Sequence, residues 1–207
     1  MRLAITLLVL AMETLASGIC LADGGPLGID HRIKYDNSGI WSRSNQMLLM
    51  NGMLVSDLAG ALWEGSDTRI GKTFWYSLDS ALISGVSVQV LKRAFSRERP
   101  VNTDDPNEWF KGNGNESFPS GEVASITTMI TPFVLEYRHE YPAVYALELL
   151  PLYDGIARMK VHAHWQSDVL AGFALGTGIG MFMHSRDVPV LVSWLPHGVT
   201  VGIHKRF

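Results

Sequence analysis

His164 and Asp168 stand four residues apart, so on a helix they share one face within hydrogen-bonding reach. A carboxylate held against one imidazole nitrogen selects the tautomer and leaves the other nitrogen free to attack an electrophile or bind a metal. The same pair on a surface helix is also an ordinary i, i+4 ion pair worth little. Arg158 lies six residues before His164, a spacing that puts the two on different faces of a continuous helix. The chain between them is therefore expected to turn into a helix that starts near His164.

Two further groups carry chemistry. Lys92 and Arg99 are seven apart, two helical turns, and fall near one face at the end of a predicted helix or just beyond it. Pro119-Ser120-Gly121-Glu122 sits at a loop-to-helix junction, where free backbone N–H groups beside small residues form an anion site. Cations, a helix N-terminus and an oriented imidazole are what phosphoryl transfer to a histidine requires. The transferring group carries its charge on equatorial oxygens, so positioning and positive charge supply most of the catalysis, and Lys and Arg can do this without a metal. Each piece alone is weak. Basic residues near a helix C-terminus usually complement its dipole, and Pro-Ser-Gly is a common helix start.

The elements that must position these residues are helical. Apolar spacing predicts helices over about 44–63, 73–95, 120–137 (with Pro132 inside), 141–159 (with Pro142 in its first turn) and 164–184. The last of these carries Gly172, Gly176, Gly178 and Gly180, which suggest close contact with a neighbour. Residues 23–43 read as an irregular arm. Residues 101–118, rich in Pro, Asn, Asp and Gly, form a loop long enough to be functional. Beyond Asp187, the segments 188–194 and 198–207 flank a Pro-His-Gly turn and predict a short hairpin.

The chain of 207 residues suits a single domain with a sizeable core. With 47% hydrophobic and 18% charged residues, it is globular rather than disordered. A net charge of −3 argues against a nucleic-acid partner. Its one cysteine, Cys20, excludes a structural zinc site of the cysteine type. Met1-Arg2, the apolar stretch from Leu3 to Met12 and Cys20-Leu21-Ala22 before Asp23 fit a signal peptide cleaved after Ala22. No later apolar run reaches the roughly 18 residues of a spanning helix.

In this order, Lys-x6-Arg-Pro (Lys92–Pro100), Pro-Ser-Gly-x (119–122) and Arg-x5-His-x3-Asp (158–168) resemble the type 2 phosphatidic acid phosphatase superfamily. That group includes bacterial acid phosphatases, lipid phosphatases and vanadium haloperoxidases. The segment HWQSDVLAG is very similar to its third motif, and the resemblance covers residues 85–176. It implies an all-helical core and phosphate binding by Lys92, Arg99, Ser120, Gly121 and Arg158. It also implies His164 as the nucleophile that forms a phosphohistidine, oriented by Asp168. Two positions depart from the pattern. Ala157 stands where many members have Ser, and Glu122 stands where the family usually has the His that protonates the leaving group. Glu122 can act as that acid if burial raises its pKa, although clustered cations lower it. His162 and Glu116 are the other candidates for the acid.

The expectation is an all-α helical bundle with a short C-terminal β-hairpin. It comprises a signal peptide, 1–22, and one phosphatase domain, 23–207, with core helices over about 44–185 and the hairpin at 188–207. The expected protein is a periplasmic phosphatase using neither metal nor cofactor, membrane association being the alternative location. Its substrate would be a phosphomonoester or diphosphate, with a lipid phosphate favoured, and membrane contact would be peripheral. Two rivals stand beside it. A vanadate-dependent haloperoxidase uses the same anion pocket, but the chain is short for one and lacks a histidine at Glu122. A phosphate or lipid-headgroup binding protein does not need an oriented nucleophile.

Overall fold

The computed structural model describes residues 24–186 apart from Asn113, together with Pro189. The expected signal peptide and, Pro189 aside, the expected hairpin lie outside the described residues. Within them the protein is helical: α1 (Arg43–Glu64), α2 (Arg69–Phe95), α3 (Gly121–Tyr137), α4 (Leu149–Lys160) and α5 (Gln166–His184). Short 3-10 helices, Gly39–Trp41 and Pro142–Glu148, precede α1 and α4.

Local signals account for most boundaries. Gly65, at φ 69°, stops α1, in a left-handed conformation open to glycine. The Thr68 side chain accepts a hydrogen bond from the Gly71 amide and starts α2, satisfying one of the orphan amides of the first turn. The helix expected over 141–159 is divided, its first part wound as the 3-10 segment. The largest difference lies at His164. Helix α5 begins two residues later, at Gln166, so His164 sits on the connecting turn and does not share a helix face with Asp168.

Helix α3 is the centre of the bundle and packs against the other four helices. Val123, Ala124, Ile126, Met129 and Ile130 are buried there. Its closest neighbour is α5, and glycines set the separation. A Cβ on Gly176 would lie 2.5 Å from the Ala124 carbonyl oxygen, and one on Gly180 would lie 2.5 Å from Thr131 Cβ. Gly172 meets Ser120 and Val123 in the same way, whereas Gly178 faces open space. This contact brings the N-termini of α3 and α5 side by side, and the Ser120 amide donates to the Asp168 carbonyl oxygen at 3.0 Å.

Helix α2 turns polar residues inward and apolar ones outward. Thr73, Ser77, Asp79, Ser80 and Ser84 are buried, while Leu82, Val86 and Val90 are exposed. Along α1, Leu48, Val55, Leu58, Leu62 and Trp63 are exposed, whereas Gln46 and Asp57 are buried. Ser77 donates to Asp57 and ties the two helices together. Burial pushes the Asp57 carboxyl up to about 7. Among the described residues, no helix is long and apolar enough to cross a membrane.

The α3–α5 contact predicts opposite outcomes for two neighbouring glycines. Gly176→Ala should destabilise the fold by about 1–3 kcal/mol through overpacking. Gly178→Ala should be neutral or add up to about 1 kcal/mol through helix propensity. Urea denaturation of both variants measures the difference.

Candidate active site

The turn between α4 and α5 delivers His164 into a cavity of about 220 Å³. Lys92, Arg99, Gly121, Glu122 and Arg158 also line it, with Met50, Gly85, Val88, Gln89 and Ser125. The motif residues therefore converge although three separate segments carry them. Ser120, Asp168, His162 and Glu116 are not among the lining residues.

His164 is 4% exposed, and its Nδ1–H donates to the Ser117 carbonyl oxygen at 2.7 Å. Asp168 Oδ2 is 3.9 Å from Nδ1, outside hydrogen-bond range. The sequence places the carboxylate on the ring nitrogen; in the structure a loop carbonyl takes that position and Asp168 stands behind it. Donation from Nδ1 leaves the lone pair on Nε2. Burial, reinforced by the positive charges of Arg158 and Lys92, pushes the imidazole down to about 3, so the ring is neutral around pH 7.

Asp168 is the hub of a buried network. Its Oδ2 accepts from Ser117 Oγ at 2.5 Å and from the Trp165 amide at 2.9 Å, the latter closing the first turn of α5. Its Oδ1 accepts from Arg97 Nη1 at 2.6 Å. Arg97, fully buried, also donates to Asp30 Oδ2 and to the Pro106 carbonyl, both at 2.6 Å from Nη2. Asp30 in turn accepts from the Ser167 amide and hydroxyl at 2.7 and 2.6 Å. Burial opposes ionisation of Asp168, but its hydrogen bonds and the Arg97 charge outweigh that and lower its pKa.

Three cations face the cavity. Lys92 Nζ donates to the Glu116 carbonyl, which also accepts from Arg99 Nη2 at 3.1 Å. Burial lowers Lys92 to about 8, with Arg99 adding to the effect. Arg158 Nη1 reaches Gln46 Oε1 at 3.1 Å, while its buried Nε has no hydrogen-bond partner. Ser120 is fully buried, its hydroxyl also without a partner. Beside it, the first-turn amides of α3 have no intrahelical acceptor.

Glu122 lines the same cavity as part of an ion pair. Its two oxygens accept from Arg43 Nη1 and Nη2 at 2.5 and 2.6 Å, and Arg158 Nη1 is 3.6 Å away. Burial would raise its pKa, but the Arg43 hydrogen bonds and the nearby cations lower it. A general acid must hold a proton, and this pairing keeps Glu122 without one. The other acid candidate, His162, is occupied elsewhere: Nε2 donates to the Ile33 carbonyl at 2.7 Å, and Arg32 Nη2 lies 3.3 Å from Nδ1.

Sequence reasoning missed Asp30, Arg43, Gln46, Arg97 and Ser117. Arg97 had one signal, its place two residues before the motif arginine Arg99. Asp30 and Arg43 had none, lying 137 and 79 residues from partners they touch. Among the described residues, no group of three or more His, Cys, Asp or Glu is arranged to hold a metal ion.

Fold and cavity define a helical protein with a neutral, buried imidazole set among cations at paired helix N-termini. Residues 73–188 match the family model of the PAP2 superfamily, and the chain belongs to that superfamily. It is 33% identical over 106 residues to a lipid A 1-phosphatase of Rhizobium etli, covering 49% of this chain and 44% of that protein. A lipid A 1-phosphatase of Porphyromonas gingivalis is 34% identical over 105 residues, covering 50% of this chain and 21% of that protein. The chain thus spans less than half the length of these curated relatives. No solved structure matches it.

Two predictions follow from the charges. Arg97→Met leaves two carboxylates buried without their cation and should cost about 3–5 kcal/mol in urea denaturation. Lys92 attracts an anion only while protonated, so kcat/KM should fall as pH rises through about 8. Lys92→Arg should move that alkaline limb out of range; a pH–rate profile of both proteins checks it.

Proposed function

We propose that the protein is a membrane-associated lipid phosphatase acting through a phosphohistidine on His164. The observation that carries this reading is the neutral imidazole, donating from Nδ1 and lining one cavity with Lys92, Arg99 and Arg158. A phosphoryl group seated among those cations would meet the Nε2 lone pair, with its equatorial oxygens facing the guanidinium and ammonium groups and the α3 amides at Gly121. Ser120, whose hydroxyl has no partner, is assigned to the same phosphate site. Asp168 is the positioning residue: it holds Ser117, whose carbonyl holds the ring. The cations supply the charge stabilisation, so this mechanism uses no metal.

The lipid substrate rests on two supports. The relatives compared above carry the name lipid A 1-phosphatase. The cavity also lies between α1 and α2, helices whose outer faces expose Leu48, Val55, Leu58, Trp63, Leu82 and Val86. Exposed apolar side chains of that kind on the helices that border the cavity suit contact with lipid, which would bring the cavity to a headgroup. Location in the periplasm after cleavage at Ala22 belongs to the same reading.

Phosphate release from lipid phosphates in mixed micelles tests it. Activity should persist in excess chelator, be blocked by orthovanadate, and fall on the order of 10³-fold or more in His164→Ala. Loss of activity in chelator with recovery on adding magnesium would overturn the metal-free mechanism. A near-normal rate in His164→Ala would remove the nucleophile.

A further inference from the structure

The site has a proton-poor side. Where a leaving group would depart, the α3 position after Gly121 holds a carboxylate clamped through both oxygens by Arg43. Arg43 is fixed in turn: its Nη1 also reaches Gln46 Oε1 at 3.1 Å, the same oxygen that Arg158 uses, and its Nη2 lies 3.0 Å from Met47 sulfur. Behind the cluster lies Asp154, fully buried, with neither carboxyl oxygen hydrogen-bonded. It does not line the cavity. The other ionisable groups that do, Lys92, Arg99, Arg158 and His164, are the phosphate's counterions and its attacking base.

A departing alkoxide is a strong base and needs a proton, and general-acid help with that step is typically about 10²–10⁴-fold. A departing phosphate is already a stable anion near neutral pH and needs none. We propose that the Arg43–Glu122 pair makes this site selective for a phosphoanhydride, a lipid diphosphate cleaved between its two phosphorus atoms, with Arg43 as the specificity-determining residue beside the departing phosphate. The proposal rests on the phosphatase reading above.

The charge balance agrees. Lys92, Arg99, Arg158 and Arg43 are four cations against two carboxyl groups, Glu122 and the buried Asp154 behind it, and this excess of positive charge suits a diphosphate better than the dianion of a monoester. The matched family region begins at residue 73, and Arg43 lies outside it.

The step balances without an acid. Nε2 of His164 bonds to the terminal phosphorus as the bond from that phosphorus to the bridging oxygen breaks. The electron pair stays on the bridging oxygen, which leaves as the lipid monophosphate. Water then attacks the phosphohistidine, the P–N electron pair returns to the ring, and the water's proton goes with the inorganic phosphate or to solvent.

The test uses the full chain in detergent micelles with farnesyl phosphate, farnesyl diphosphate and p-nitrophenyl phosphate. Nitrophenolate needs little protonation, so hydrolysis of the aryl ester, lost in His164→Ala, reports on the phosphatase reading alone. The expected kcat/KM for the diphosphate exceeds that for the monophosphate by about 10²-fold or more. Glu122→His, which supplies a proton donor, should raise monophosphate turnover and shrink that ratio. Arg43→Gln releases Glu122 to take up a proton, and monophosphate turnover should then gain a limb that falls as pH rises through its pKa. Equal rates on the two farnesyl substrates, with the aryl ester hydrolysed, overturn the proposal and leave the phosphatase reading standing. No hydrolysis of any of the three overturns both. The comparison of wild-type rates decides the matter even if a variant fails to fold.

Discussion

The structure depends on one buried guanidinium. Arg97 is wholly removed from solvent and so are the two carboxylates it pairs with, Asp30 and Asp168. Removing three charges from water is expensive, and it is offset only when every donor finds an acceptor in good geometry. Here the fork reaches two carboxylates, the Ser167 hydroxyl and the Pro106 carbonyl, while Trp109 lies under its face at 4.3 Å. These partners come from the N-terminal arm, the long α2–α3 loop and the start of α5. The network joins these three segments at one point.

The position of the imidazole follows from that join. The Ser117 amide donates to the Arg97 carbonyl at 2.9 Å and its hydroxyl to Asp168 at 2.5 Å, so the Ser117 carbonyl points at His164 by construction. The expected His–carboxylate contact is thereby replaced by a relay with one extra member. Such an arrangement keeps the ring oriented while the negative charge of Asp168 stays one shell away, where it raises the imidazole's basicity less. Burial and the neighbouring cations then win, and the ring is neutral. An unprotonated nitrogen is what the proposed attack on phosphorus would need.

Helix packing supplies the second half of the site. Glycines on α5 let its backbone approach α3 until side-chain volume, had there been any, would collide with the Ala124 carbonyl. The two helix N-termini therefore lie side by side, and the first turn of α3 lines the cavity. The cations around it repel one another, and Glu122 relieves part of that repulsion. The same Arg43 pairing holds the Glu122 carboxyl below its ordinary pKa.

How much of this was legible in the sequence can be read from particular residues. The helices α1, α2, α3 and α5 follow from apolar periodicity and capping residues, because those are local properties of consecutive side chains. The order of Lys92, Arg99, Ser120, Gly121, Arg158, His164 and Asp168 was legible because motif residues keep their spacing within each segment, and all of these but Ser120 and Asp168 line one cavity. Three things needed the tertiary structure. Asp30 and Arg43 meet partners 137 and 79 residues away, and no local pattern records a pairing made only by folding. The acceptor of His164 is a backbone carbonyl, which every residue possesses and which therefore leaves no signature in the residue type. The ionisation of Glu122 is set by the balance between burial and the guanidinium opposite it, and that balance exists only once the helices have packed.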